Sequence, residues 1–171
     1  MQRRFLFLLL IFSVFVVSLN CQTRSDEKAE ECQYLTLAEA EKILGARVEL
    51  ISNSWTYTTD ANKFDCAYRA VEKDKASGKE INLFFRLEES TTEDQAKQIY
   101  ESIWESNKNH AGIEPLSGIG DEAYAHSDKP NFHFVFARKG KFTLRMKVNK
   151  AVAATSPEAL KAFAKRVVEG I

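Results

Sequence analysis

An α+β fold, with a mostly antiparallel sheet packed against amphipathic helices, is what the sequence predicts. Three segments repeat apolar residues at helical spacing, each opened by a capping residue. Several segments between them alternate apolar and polar residues with period two. Adjacent alternating segments are joined by short polar loops, which makes neighbouring strands antiparallel. The predicted order is α-β-β-β-α-β-β-β-α, a sheet with helices on its apolar face.

The first helix is expected over 37–44. Thr36 with Glu39 three residues on forms a capping box, and Gly45 ends the helix as a left-handed cap. Leu37, Ala40, Ile43 and Leu44 share its apolar face. Val48 to Ile51 reads as a weak strand, and 53–63 is ambiguous: Trp55 and Tyr57 alternate, but turn-formers follow. Phe64, Cys66, Tyr68 and Ala70 form one face of a strand, and Ile81, Leu83, Phe85 and Leu87 one face of the next. The polar run from Lys73 to Gly78 connects them.

The second helix is expected over 93–108, with Thr92 as its cap and an apolar stripe of Ala96, Ile99, Tyr100, Ile103 and Trp104. Glu122 to Ala125 is a short strand candidate. A hairpin follows, Asn131 to Ala137 with Lys141 to Asn149. A three-residue loop, Arg138-Lys139-Gly140, would pair Phe136 with Phe142 and set Phe132, Phe134 and Phe136 beside Leu144 and Met146 on one apolar face. A two-residue loop would instead send the two apolar sets to opposite faces. The three-residue loop is the expectation. The last helix, 157–170, is capped by Ser156 and has Pro157 in its first turn, where the missing N–H is no loss.

The first twenty residues differ from the rest. Arg3 and Arg4 precede an apolar run from Phe5 to Leu19, broken only by Ser13 and Ser18. A spanning helix needs roughly 20 apolar residues, so residues 1–20 read as a secretory signal, with a signal anchor as the alternative. Cys21 follows directly, and here the chain resembles a bacterial lipoprotein precursor, in which the Cys after the lipobox is acylated. Ser18 and Asn20 depart from the usual lipobox, and cleavage after Ser18 is the rival processing. The resemblance implies a lipoprotein of the bacterial cell envelope, membrane-anchored through lipid on Cys21 and facing the periplasm or the cell exterior. Residues 22–31 are mostly charged and form a solvated tether (21–31 with the Cys), leaving 32–171 as one domain.

Three cysteines in a secreted chain leave one thiol to explain. Lipid on Cys21 leaves Cys32 and Cys66 as a pair in an oxidising compartment. A bond between them, closing about 34 residues, is worth about 3–4 kcal/mol on the chain-entropy argument. Two buried, unlinked thiols are the alternative.

Basic and acidic residues balance at 24 each, which argues against a nucleic-acid partner. His110, His126 and His133 show no metal-ligand spacing and read as surface residues. No nucleophile elbow is present. The adjacent acids Glu88 with Glu89 and Asp121 with Glu122 read as solvated turns. Gly118-Ile119-Gly120 is followed by a strand candidate where a phosphate loop would open a helix, so it reads as a tight turn. No catalytic residue, cofactor or metal is assigned.

The Gly118 to Ala123 stretch, an early Cys32, Leu35 and Thr36 with Leu44-Gly45, and the later Cys66 with Tyr68 together carry a second resemblance. They look like the small bacterial lipoproteins of unknown function whose domain is related to the PsbP and Mog1 type of α/β/α sandwich. That family implies an envelope-bound module, often with its two cysteines bridged, and no catalytic residues.

Strand parity leaves one candidate binding surface. With Phe85, Phe134 and Leu144 inward, the opposite sheet face displays Arg69, Phe84, Arg86, His133, Arg145 and Lys147, suited to an anionic partner. The expected function is a non-enzymatic binding or assembly-accessory module whose partner is another envelope protein or an anionic ligand. An inhibitor or sensor of another envelope protein and an enzyme with scattered catalytic residues are the alternatives.

Overall fold

A computed structural model describes residues 32–171. The signal segment, Cys21 and the charged tether lie outside the described residues. The order is α1 (Leu37–Leu44), β1 (Val48–Tyr57), β2 (Ala61–Ala70), β3 (Asn82–Ser90), α2 (Glu93–Asn107), β4 (Ile113–Pro115), β5 (Glu122–Asp128), β6 (Phe132–Lys139), β7 (Phe142–Val148) and α3 (Pro157–Glu169). All seven strands join one sheet in the order β1-β2-β3-β7-β6-β5-β4, every neighbouring pair antiparallel. Two meanders, β1-β2-β3 and β4-β5-β6-β7, meet at the β3–β7 pair, and α2 connects them in sequence.

The helices follow their local signals. Thr36 and Glu39 complete the capping box of α1. Thr92 accepts from the Gln95 N–H at the start of α2, and Ser156 from the Ala159 N–H at the start of α3. The strand order needs one addition. Three residues, Ile113 to Pro115, pair with β5 as an edge strand too short to show a period.

β1 is also longer than expected. Its register against β2 slips between Leu50 and Ser52, so Ile51 is an extra residue. A bulge of this kind reverses the parity of everything after it. Leu50 lies opposite Tyr68, whereas Trp55 lies opposite Phe64 on that same face. Even residues before the bulge and odd residues after it therefore face one way, which is why the segment reads ambiguously.

The β6–β7 hairpin contradicts the expected register. Lys139 pairs with Phe142, leaving Gly140-Lys141 as a two-residue turn. Gly140 has φ +53° at the first turn position, as a type II′ hairpin requires. Phe136 therefore pairs with Arg145 rather than Phe142, and Ala137 with Leu144. Phe132, Phe134 and Phe136 lie on the face opposite Leu144, Met146 and Val148.

This register works because apolar clusters form on both sheet faces. On the first face, α1 and α3 join Phe64, Cys66, Tyr68, Leu83, Phe85, Val135, Leu144 and Met146 in the main core. On the second, Tyr100 of α2 clusters with Tyr124 and Phe136, and Ile99, Ile103, Trp104 and Phe134 pack around them. Cys32 and Cys66 are joined, S–S 2.07 Å, tying the segment before α1 to the middle of β2. The Tyr68 hydroxyl donates to the Leu35 carbonyl at 2.8 Å beside that link.

Candidate functional site

On the second face the register aligns side chains into three rungs across β2, β3, β7, β6 and β5. One reads Ala67, Phe84, Lys147, Phe134, His126. The next reads Asp65, Arg86, Arg145, Phe136, Tyr124. The third reads Lys63, Glu88, Thr143, Arg138, Glu122. Arg69, opposite Asn82, extends the face past the first rung. Helix α2 covers the Phe136 and Tyr124 end; Phe84 remains exposed.

Five of the six residues expected to share a face therefore do so: Arg69, Phe84, Arg86, Arg145 and Lys147. His133 does not. It pairs with Val148 on the first face and is 2% exposed. The hairpin register is displaced by three residues from the expected one, and an odd displacement exchanges His133 for Phe132 and Phe134 on this face. Its Nδ1 lies 2.9 Å from the Ser127 hydroxyl. Burial lowers its pKa, Lys129 adds to the lowering, and Glu158 opposes it. His126 is buried too, with Nε2 3.2 Å from the Ala111 carbonyl oxygen. Only His110 is an exposed histidine, so the expectation of three surface histidines fails for two of them.

The cations of this face are unequally satisfied. Arg69 bridges Glu49 at 2.6 Å and Glu80 at 3.5 Å. Its hydrogen bond to Glu49 is the main cause of its raised pKa. Arg86 donates through Nε and Nη2 to the two oxygens of Asp65, at 2.6 and 3.1 Å, and that bond raises its pKa. Arg145 is different. Its guanidinium lies over the Phe136 ring, 5.3 Å from the centroid. The Glu88 carboxylate is 3.7 Å away and also serves Lys63 at 3.4 Å. Arg145 Nε is buried without a hydrogen-bond partner. Burial lowers its pKa, with Glu88 opposing and Arg86 reinforcing. The Tyr124 hydroxyl and Thr143 Oγ1 are likewise buried and unpartnered on this face. Burial pushes the Tyr124 phenol up to about 12.

Arg138, which the expected hairpin put in its loop, is a buried clamp on the third rung. It reaches Glu122 at 2.7 Å, Asp121 at 3.0 Å, Glu93 of α2 at 3.4 Å and the Gly140 carbonyl at 3.1 Å. Asp121 sits in an exposed turn, as expected, yet serves with Glu122 of β5 as its counter-ion, while Glu88, also expected in a solvated turn, lies in β3 and is 5% exposed within its own ion pairs. The Gly118 to Gly120 turn leads into β5, and a Cβ on Gly120 would meet the Arg138 carbonyl oxygen at 2.3 Å. That glycine serves close backbone packing.

Among the clefts that open on this face, two share a residue. One, of about 780 Å³ beside the C-terminal end of α2, is lined by Ile103, Asn107, His126, Phe132, Phe134 and Lys147 among others. The other, of about 370 Å³, is lined by Asp65, Phe84, Arg86, Arg145 and Lys147 among others. Lys147 belongs to both. Among the described residues, no three His, Cys, Asp or Glu side chains are grouped to hold a metal ion. What the face offers chemically is positive charge beside aromatic surface, with Arg145 over Phe136 and Lys147 over Phe132. Comparison of the chain with protein families, with curated proteins and with solved structures found no match.

Proposed function

We propose that this chain is an envelope-anchored lipoprotein, held by lipid on Cys21, whose domain is a non-enzymatic binding or assembly-accessory module. The partner docks on the open part of the second face and presents negative charge there. The observation that carries the reading is the set Phe84, Arg86, Arg145 and Lys147 on adjoining rungs, with Arg145 under-paired. A cation taken out of water with its donors unmet costs free energy that an arriving anion recovers. The same reading takes the domain as an α/β/α sandwich of the PsbP and Mog1 type, supported by the separate apolar clusters on the two sheet faces.

Affinity capture from membranes with the lipidated protein tests it. Lys147→Glu is the best disruptive variant, because Lys147 is exposed and has no carboxylate partner among the described residues. Reversal at Arg86 or Arg145 would also break the pairs with Asp65 and Glu88. A captured envelope partner that is lost with Lys147→Glu supports the reading. A partner retained in full by Lys147→Glu and by Phe84→Ser places the docking surface elsewhere.

A further inference from the structure

The two clefts that share Lys147 have different chemistry. The larger pairs an aromatic wall with a polar rim: Ile103 of α2 faces Phe132 and Phe134 of β6, His126 packs against Phe132 with ring centroids 4.8 Å apart at 83°, and Asn107, Asn109 and His110 line the side toward α2. Its volume of about 780 Å³ falls within the roughly 300–1,000 Å³ of small-molecule sites. Flat rings pack well against such walls, edge to face or offset. The smaller cleft carries Arg86, Arg145 and Lys147 against the single carboxylate of Asp65.

Only part of that charge is spoken for. Asp65 neutralises Arg86 through two hydrogen bonds. Arg145 keeps a buried Nε with no partner and shares its nearest carboxylate with Lys63. Lys147 rests its ammonium over the Phe132 ring, 5.1 Å from the centroid, where the junction of the clefts lies. Lys147 and Arg145 are two residues apart on β7, so their side chains leave the same face roughly 6–7 Å apart. Their charged ends rest over different rings of β6, Arg145 over Phe136 and Lys147 over Phe132, so one carboxylate takes a donor from each once the Lys147 chain swings off Phe132.

We infer that this face binds a small aromatic carboxylate, its ring among Ile103, Phe132 and Phe134 and its acid group on Lys147 and Arg145. The inference rests on the reading of this face as an anion-binding surface and narrows the occupant to a small molecule. Asp128, which lines the aromatic cleft, orients the ligand by repelling its acid group toward β7. Lys147, drawn onto the carboxylate, leaves the Phe132 face free for the ring. An acidic segment of a partner protein would need the cationic cleft alone and would leave the aromatic one unused.

The test is titration of the mature protein with 2-naphthoate, followed by two-dimensional NMR, with acetate and neutral 2-naphthalenemethanol as controls. Saturable shifts at Ile103, His126, Phe132 and Lys147, tenfold tighter for 2-naphthoate than for either control, are expected. Lys147→Gln and Phe132→Leu should each weaken binding about tenfold while leaving the remaining spectrum in place. No saturable shift up to about 1 mM naphthoate overturns the inference, as does equal binding of the neutral alcohol or shifts confined to another face. Capture of an envelope partner that depends on Lys147, with naphthoate silent, overturns this inference alone and leaves the proposed docking function standing. Naphthoate binding with no Lys147-dependent partner supports the inference and overturns docking of a macromolecule.

Discussion

Replacing Arg138 by Met and, separately, Arg145 by Met distinguishes an arginine kept for the fold from one kept for a ligand. Both project from the second face, on adjoining rungs and neighbouring strands. Arg138 loses contacts to Glu122 at 2.7 Å, Asp121 at 3.0 Å, Glu93 at 3.4 Å and the Gly140 carbonyl at 3.1 Å. Breaking a fully buried pair costs about 3–5 kcal/mol. The three carboxylates, 33%, 45% and 67% exposed, rehydrate in part, which discounts the loss to about 2–3 kcal/mol. Arg145→Met gives up a 3.7 Å ion pair and a ring contact of about 0.5–2 kcal/mol. Against this it removes a buried, unpartnered Nε, whose desolvation costs about 1–3 kcal/mol. Glu88 keeps Lys63 at 3.4 Å, so no carboxylate is orphaned. The expected net change is within about 1 kcal/mol of zero. Urea unfolding of the oxidised mature protein at neutral pH, with midpoint and slope fitted together, measures both. Equal losses in the two variants would refute the reasoning, because Arg145 would then be held for stability.

Three further outcomes are expected. Cys21→Ser should move the protein out of the membrane fraction, as fractionation and blotting would show; a cleaved variant that stays with the membrane removes the lipid anchor from the account. Non-reducing peptide mapping should recover Cys32 linked to Cys66, and a Cys32→Ser/Cys66→Ser variant should lose about 3–4 kcal/mol in urea; two freely alkylated thiols in the oxidised protein would contradict the structure. The lowered pKa of His133 means the unfolded chain takes up a proton first as pH falls below about 6.5, so its contribution is present at neutral pH and lost in acid. His133→Gln should flatten the stability-versus-pH slope on the acid side of that value, and an unchanged slope would show that His133 does not carry it.

Much of the helical layer was legible in the sequence because its signals are local. Thr36 with Glu39, Thr92, and Ser156 with Pro157 set the three starts through hydrogen bonds that span three residues. The faces of β2 and β3 were legible for the same reason: two-residue alternation in Phe64 to Ala70 and in Leu83 to Leu87 depends on burial of one face, whichever neighbour supplies it. Hence Arg69, Phe84 and Arg86 could be placed together, and β7 parity added Arg145 and Lys147.

What the tertiary structure decided is everything that depends on which faces acquire a cover and where a turn closes. Phe132, Phe134 and Phe136 read as core beside Leu144 if only one sheet face is apolar. The cluster of α2 residues over Tyr124 and Phe136 makes the second face apolar too, and the turn at Gly140-Lys141 takes the register that uses it. That odd shift of register, from Phe142 to Arg145 opposite Phe136, buried His133 on the first face, brought Phe132 and Phe134 beside Lys147, and set Arg138 among three carboxylates. The bulge at Ile51 hid the length of β1 in the same way, by reversing parity midway. Cap and period act over three or four residues, so sequence alone determined them. Register and coverage are settled by packing between segments tens of residues apart, which no local pattern encodes.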